Sequence, residues 1–439
     1  MTLDSTPLSA GQIRWRWRIL ISTFLGYAGY YLTRKVFTIC KAPLADQFAV
    51  RVGDIAHIWT AYLVAYMIGQ FLSSLIGRKW GPRVLLLGGL GISILINIVF
   101  GFANSYWTFM AFMFVNGLVQ ATGWPGCVGS VAEWLRPAER GTIMGIWSTN
   151  YLVGNMLVKT IGGLLLSNFG WRHAFFGCTV VTILIWWVIY FWQRNRPEDV
   201  GLPAIIGRSD EGTHAIQASN DERITLAEYA RLALNPIVLV MGASYFSIKF
   251  LRYALDSWLP TFLHLQGLDL GPAAYYSQVF DLAGLAGAIL AGWVLDRWFR
   301  GNWALLCLFL GSGIIGGYLL VVNFGANPHA LAFCFGVVGF MIYGPDTLLG
   351  GVAAVQVAGE RNAVAVAGIV NGIGSIGPII QEEVIGALMT NKDPRIGIQN
   401  ANLLTLGMSI AFLVTMGVVL WRMHTGNRPA IIGAGAHSA

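Results

Sequence analysis

Charge is what this sequence has least of. Only 11% of its 439 residues are Asp, Glu, Lys or Arg, whereas 56% are hydrophobic. A soluble domain carries roughly 25% charged residues, so a soluble chain of this length could not cover its own surface. Paired thiols are also missing. The five cysteines (Cys40, Cys127, Cys178, Cys307 and Cys334) each sit in or beside an apolar run and form no CxxC. That excludes a disulfide scaffold and a thiolate metal centre and makes them small core residues. The seven histidines are scattered, so no metal and no cofactor are expected. The net charge of +7 is modest, and the basic residues lie between apolar runs, which reads as membrane topology and not as a nucleic-acid patch. No cleavable leader is expected, because the first apolar run continues well past the length of a signal core. Disorder, collagen and coiled coil are excluded by composition as well.

Glycine and tryptophan are abundant, at 54 and 17 residues, a mixture suited to close-packed membrane helices with aromatic interface belts. A spanning helix needs about 20 mainly apolar residues. Twelve runs qualify, at 17–43, 55–76, 84–102, 106–132, 141–168, 173–193, 236–263, 273–296, 302–323, 328–355, 362–390 and 400–421. A polar stretch from Arg194 to Arg231 divides six from six. The expected organisation is a first bundle at 1–195, a cytoplasmic connecting loop at 196–235, and a second bundle with its tail at 236–439. With the N-terminus inside, 18 Lys and Arg residues fall on the cytoplasmic side and four on the other. That bias puts both termini and the central loop in the cytoplasm.

The halves repeat. Arg34 and Arg252 are 218 positions apart, Gly77-Arg78 and Asp296-Arg297 are 219 apart, Trp124-Pro125 and Gly344-Pro345 are 220 apart, and Glu139-Arg140 and Glu360-Arg361 are 221 apart. Four matches at nearly one offset argue for a duplicated six-helix unit. Parallel halves related by an axis along the membrane normal are the plan of the major facilitator superfamily. The expected fold is therefore all-α and integral to the membrane, with twelve transmembrane helices in two pseudo-symmetric six-helix bundles.

Arginine keeps its proton even when buried and offers a planar fork of donors. Arg34 and Arg252, at matching places in the two halves, are therefore expected to hold one phosphate dianion between them. The plain alternative is that each is neutralised by a fixed carboxylate such as Asp256, Asp281 or Glu382. Lys35, Lys41, Lys159 and Lys249 add cations at depth, and Asp281, Asp346, Glu382 and Glu383 add acids. The balance favours a divalent anion, while any single pair could equally be a structural tie between helices. Asp281 could trade partners as substrate enters or carry a coupling proton. Tyr30 and Tyr31 share the face of Arg34 by spacing, as does Tyr27. Together with Tyr151, Asn150 and Asn155 they are candidates for the hydroxyls of a substrate. The turns bearing Arg78 and Arg297, with Asp296, are read as gates. Their arginines could cap helix ends or pair with Glu139 and Glu360, beside Arg140 and Arg361.

The stretches Gly26-Tyr27-Ala28-Gly29-Tyr30-Tyr31-Leu32-Thr33-Arg34-Lys35, Asn116-Gly117 through Gly123-Trp124-Pro125, Leu251-Arg252-Tyr253, Trp258-Leu259-Pro260-Thr261 and Ile342-Tyr343-Gly344-Pro345 make the chain similar to the organophosphate:phosphate antiporter family. The resemblance runs from Arg16 to about Trp421. It implies a secondary transporter, not an enzyme, that exchanges an organic phosphate ester (glycerol phosphate, phosphoglycerate or sugar phosphate) for inorganic phosphate. It also implies that Arg34 and Arg252 bind the phosphate, and it matches Asp281 to the acidic residue of the family's eighth span. Glycerol-phosphate-type members have a Lys where this chain has Gln70 and a His where it has Tyr151. Added cations would suit a phosphoglycerate, and added carboxylates and amides would suit a sugar phosphate. Two other classes stay open: a membrane sensor of a sugar phosphate, and a proton-coupled carrier of organic anions. The expected setting is a lipid bilayer, the inner membrane if bacterial, with the chain as a monomer.

Overall fold

The computed structural model describes residues 8–205 and 226–425, except 137–138, 140–142, 145, 148 and 325–326. Among these residues every regular element is helical. Two compact units result, the first formed by Met1–Val50 and His57–Arg223 and the second by Arg51–Ala56 and Ile224–Ala439.

In the first unit, α1 (Ala10–Ile39) starts seven residues before the expected span because Ser9 and Gln12 form a reciprocal cap. Such a box satisfies two donors that the first turn would leave bare. The helix stops at Cys40, so Lys41 begins a separate short helix, α2 (Lys41–Phe48). The expected first span, 17–43, is therefore cut just before Lys41. The second and third expected spans are one run, α3 (Ala56–Phe102), bent at Gly81 (φ 77°) before Pro82. Glycine meets no Cβ penalty at positive φ, and the proline ring prevents a straight continuation.

The fourth expected span is two helices, α4 (Tyr106–Gln120) and α5 (Gly123–Ala132). Next come α6 (Asn150–Leu157), a widened turn at Val158–Gly162, α7 (Gly163–Phe169) and α8 (Trp171–Trp192). Helix α1 packs on α8, α6 and α5.

The expected connecting loop holds a helical turn at Pro197–Val200 and, on its far side, α9 (Leu226–Ala233). The second unit continues with α10 (Pro236–Leu265), α11 (Leu270–Tyr276), α12 (Gln278–Arg297), α13 (Trp303–Phe324), α14 (Pro328–Thr347), α15 (Ala353–Leu388) and α16 (Pro394–His424). A widened turn at Leu348–Val352 joins α14 to α15. Helix α10 packs on α15, α16 and α14, and α12 packs on α14.

Residues 51–56, expected inside the first bundle, pack with the second unit. Ala56 joins a buried cluster with Ala254, Trp258, Phe262, Ile385, Met389, Ile398 and Ala401. Gly53 and Gly386 lie so close there that a Cβ on either would overlap the other strand of chain. The segment is stiffened by Arg51, whose guanidinium holds Asp54 at 2.9 and 3.0 Å. That carboxylate raises the Arg51 pKa above its ordinary value.

Among the described residues, eight helices are long and apolar enough to cross a membrane. They correspond to the third, fifth to tenth and twelfth expected spans. The other four positions are helical too, on α1, the first half of α3, α4 with α5, and α15. Charge on α1 and the break between α4 and α5 dilute the apolar signal there.

Candidate functional site

Each unit builds its own cationic half-site, and the two halves are built differently. In the first, Arg34 sits on α1 and is only 7% exposed. Its guanidinium carbon lies 3.8 Å from the ring centre of Tyr31, 5.7 Å from Tyr27 and 5.8 Å from Tyr66. Nη1 donates to the Tyr62 hydroxyl at 3.3 Å. Among the described residues no carboxylate pairs with Arg34. Aromatic faces attract a desolvated cation by about 2 kcal/mol or more each in good geometry, yet they do not cancel its charge. Tyr62 and Tyr66 were not singled out in the sequence. They lie four apart on one helix, and that spacing is the signal that could have revealed them.

Helix α1 is fixed at this point by polar side chains. Asn97 donates to the Thr33 carbonyl at 2.7 Å, and Gln120 donates to the Thr33 hydroxyl at 2.8 Å. Gln120 also reaches Ser93 at 3.1 Å, and Ser93 donates to Asn116 at 2.7 Å. All are buried, so these bonds set the height and rotation of the neighbouring Arg34.

Tyr30 is a correction. Spacing put it beside Arg34, but its hydroxyl turns to the Leu86 carbonyl and to Thr122, both at 3.1 Å. The ring packs on Gly123. It is a core residue that ties α1 to α3 and α5. Tyr151 is half-buried, with its ring 6.2 Å from that of Tyr31. Lys35 is buried, its ammonium 5.2 Å from the Trp59 ring centre. Lys41 and Lys159 are also buried, Lys159 within the widened turn 158–162.

In the second unit, Lys249 and Arg252 lie one turn apart on α10. Lys249 donates to Asn371 at 2.6 Å and Ser375 at 3.1 Å, with the Tyr245 ring centre 4.7 Å away. Arg252 pairs with a carboxylate, with Nη1 2.6 Å from Asp346 Oδ2. Its guanidinium carbon is 4.8 Å from the Tyr343 ring centre. The fixed carboxylate anticipated for each arginine is thus present for Arg252, in Asp346. Tyr343 donates to Asp281 at 3.4 Å. Glu382 accepts from Ser257 at 2.9 Å and from the Trp258 indole at 3.0 Å.

The expected gate residues are only partly placed. Arg16 grips Glu139 end-on, with Nη1 and Nη2 donating to its two carboxylate oxygens at 2.7 and 2.9 Å. Arg16 lies on α1; the side chain of the expected partner, Arg78 of the 77–83 turn, is outside the described residues. In that turn Arg83 donates to the Gln193 and Tyr190 carbonyls at 2.6 and 2.8 Å, closing the C-terminal end of α8. Asp296 and Arg297 are exposed and make no ion pair among the described residues. Arg140 and the side chains of Arg78, Glu360 and Arg361 lie outside the described residues. Among the described residues no cluster of His, Cys, Asp and Glu could hold a metal.

Comparison with known proteins agrees with this architecture. A bacterial homologue of the lysosomal transporter Spinster superposes with a TM-score of 0.73 at 14% identity, over 93% of this chain and 98% of that one. The D-xylose-proton symporter superposes with a TM-score of 0.67 at 13% identity, over 92% of this chain and 97% of that one. The profile of the Major Facilitator Superfamily matches residues 20–381. Fold and profile are those of membrane transporters, not of enzymes.

Sequence relatives narrow the class. The glycerol-3-phosphate transporter of Bacillus subtilis is 31% identical, over 85% of this chain and 86% of that protein. The membrane sensor protein UhpC of Escherichia coli is 30% identical over 84% of each. A probable hexose phosphate transport protein of Chlamydia pneumoniae is 28% identical over 81% of each. The chain belongs to the organophosphate:phosphate antiporter family of the Major Facilitator Superfamily.

Proposed function

We propose that the chain exchanges a glycerol or sugar phosphate for inorganic phosphate, with Arg34 and Arg252 as phosphate-binding cations. The observation that carries this reading is Arg34 itself. It is a permanently charged, buried guanidinium on a bed of tyrosine rings, with no carboxylate among the described residues to neutralise it. Leaving a charge buried and uncompensated costs several kcal/mol, and a phosphate oxygen pair matches the arginine fork. The relatives that transport glycerol 3-phosphate and hexose phosphate support the choice of ester.

On this reading the empty protein changes conformation poorly because Arg34 lacks an anion. The bound ester or phosphate then lowers the energy of the intermediate state more than that of either open state, which makes the process an obligatory exchange by alternating access. Both termini face the cytoplasm in this proposal, and the monomer is the working unit.

The test is a proteoliposome loaded with radiolabelled phosphate. External glycerol 3-phosphate or glucose 6-phosphate should release the label, and buffer alone should not. Release that is equally fast without any external ester would defeat the exchange mechanism. The similarity to a membrane sensor supports a second reading, in which the same site binds an ester but reports it to a partner. That protein would show ester binding in detergent and almost no release of label.

A further inference from the structure

Resting on the phosphate site proposed above, we infer that Asp346 determines which organic group the second unit accepts. Its carboxylate, set beside the phosphate-binding Arg252, selects esters that present a hydroxyl donor and rejects esters that carry a second anionic group.

Asp346 is 7% exposed and lies near the end of α14, directly after Pro345 and two residues before the widened turn 348–352. Its two oxygens are used unequally. Oδ2 is 2.6 Å from Arg252 Nη1, while Oδ1 is buried and has no hydrogen-bond partner among the described residues. The nearby donors are engaged elsewhere. The Lys249 ammonium is held by Asn371 and Ser375, and the Tyr343 hydroxyl points at Asp281.

An ionised carboxylate only accepts hydrogen bonds, and a buried acceptor left bare is costly. Whatever ligand reaches Arg252 also meets this oxygen. A phosphate next to it is tolerable if another part of the ligand donates to Oδ1. A sugar or glycerol hydroxyl does so, and so does the remaining O–H of hydrogenphosphate. A carboxylate cannot donate, and it sets two like charges against each other. The two cations of α10 therefore do not make a site for an acidic ester, because Lys249 is already bound and Asp346 offsets Arg252.

The experiment compares three competitors of similar size. Glycerol 3-phosphate offers hydroxyls, propyl phosphate offers none, and 3-phosphoglycerate carries an added carboxylate. Release of labelled phosphate from wild-type proteoliposomes should be half-maximal at a concentration at least about tenfold lower for glycerol 3-phosphate than for either rival, as befits one buried bond to a charged acceptor. In Asp346→Asn, the discrimination against 3-phosphoglycerate should shrink to about threefold or less. In Asp346→Ala, the preference over propyl phosphate should shrink in the same way.

The same ratios are read by calorimetry on detergent-solubilised protein, so they remain measurable if no exchange occurs or if a variant transports poorly. Failure of every ester to release label, with the binding ratios intact, would count against exchange and not against Asp346. Wild-type protein that binds 3-phosphoglycerate or propyl phosphate as tightly as glycerol 3-phosphate would overturn the role given to Asp346.

Discussion

Replacing Arg34 by Lys keeps the charge but removes the fork and the flat face that lies 3.8 Å over the Tyr31 ring. A lost charge-assisted hydrogen bond costs about 1.5–3 kcal/mol. Exchanging a stacked guanidinium for an ammonium weakens the ring contact by about 1 kcal/mol more. Together these come to about 2.5–4 kcal/mol, or a roughly 60-fold to 700-fold weaker apparent affinity for phosphate at about 1.4 kcal/mol per decade. The assay is the concentration of external phosphate that half-maximally releases labelled phosphate from proteoliposomes.

Two companion variants separate fork from bed. Tyr31→Phe keeps the ring and should stay within about threefold of wild type. Tyr62→Phe removes the hydroxyl 3.3 Å from Nη1 and should cost about 1 kcal/mol, roughly fivefold. An Arg34→Lys protein within threefold of wild type would refute the claim that the guanidinium fork grips the ligand. So would a Tyr31→Phe protein as impaired as Arg34→Lys.

Other residues give independent checks. Gln120→Leu removes the bonds to Thr33 and Ser93 at 2.8 and 3.1 Å. It should lower stability in detergent by about 1–3 kcal/mol and weaken phosphate binding through the displaced α1. Thermal unfolding followed by tryptophan fluorescence reads the first effect, and labelled exchange reads the second. Gly117→Leu would push a side chain against the Tyr62 carbonyl and to within 3.0 Å of the Tyr66 nitrogen. It should destabilise the fold by about 1–3 kcal/mol and impair binding, whereas the same change at Gly316 of α13, where a Cβ meets nothing within 4 Å, should leave binding unaltered. Glu139→Gln weakens the bidentate contact with Arg16, which is only partly shielded from solvent. The expected loss is about 1 kcal/mol, visible as a melting temperature lower by a few degrees.

The amino-acid sequence alone fixes the class of this protein. Scarce charge, apolar runs of spanning length and a repeat near 219 positions are statements about solvent and symmetry, and neither needs coordinates. The same is true of Arg34 and Arg252 as the paired cations, because a residue that cannot lose its proton is conspicuous inside an apolar run. Helical spacing goes less far. It puts Tyr30 and Tyr31 equally near Arg34, but side-chain rotation takes Tyr30 to Thr122 and leaves Tyr31 beneath the guanidinium. It carries Lys41 along α1, but the helix ends at Cys40. Partners distant in sequence are set by packing alone. Examples are Tyr62 for Arg34 across 28 positions, Asp346 for Arg252 across 94, and Arg16 for Glu139 across 123. Periodicity within one helix specifies which face a residue occupies. Only the docking of helices against one another decides what that face meets, and so which of two matching arginines already holds a carboxylate.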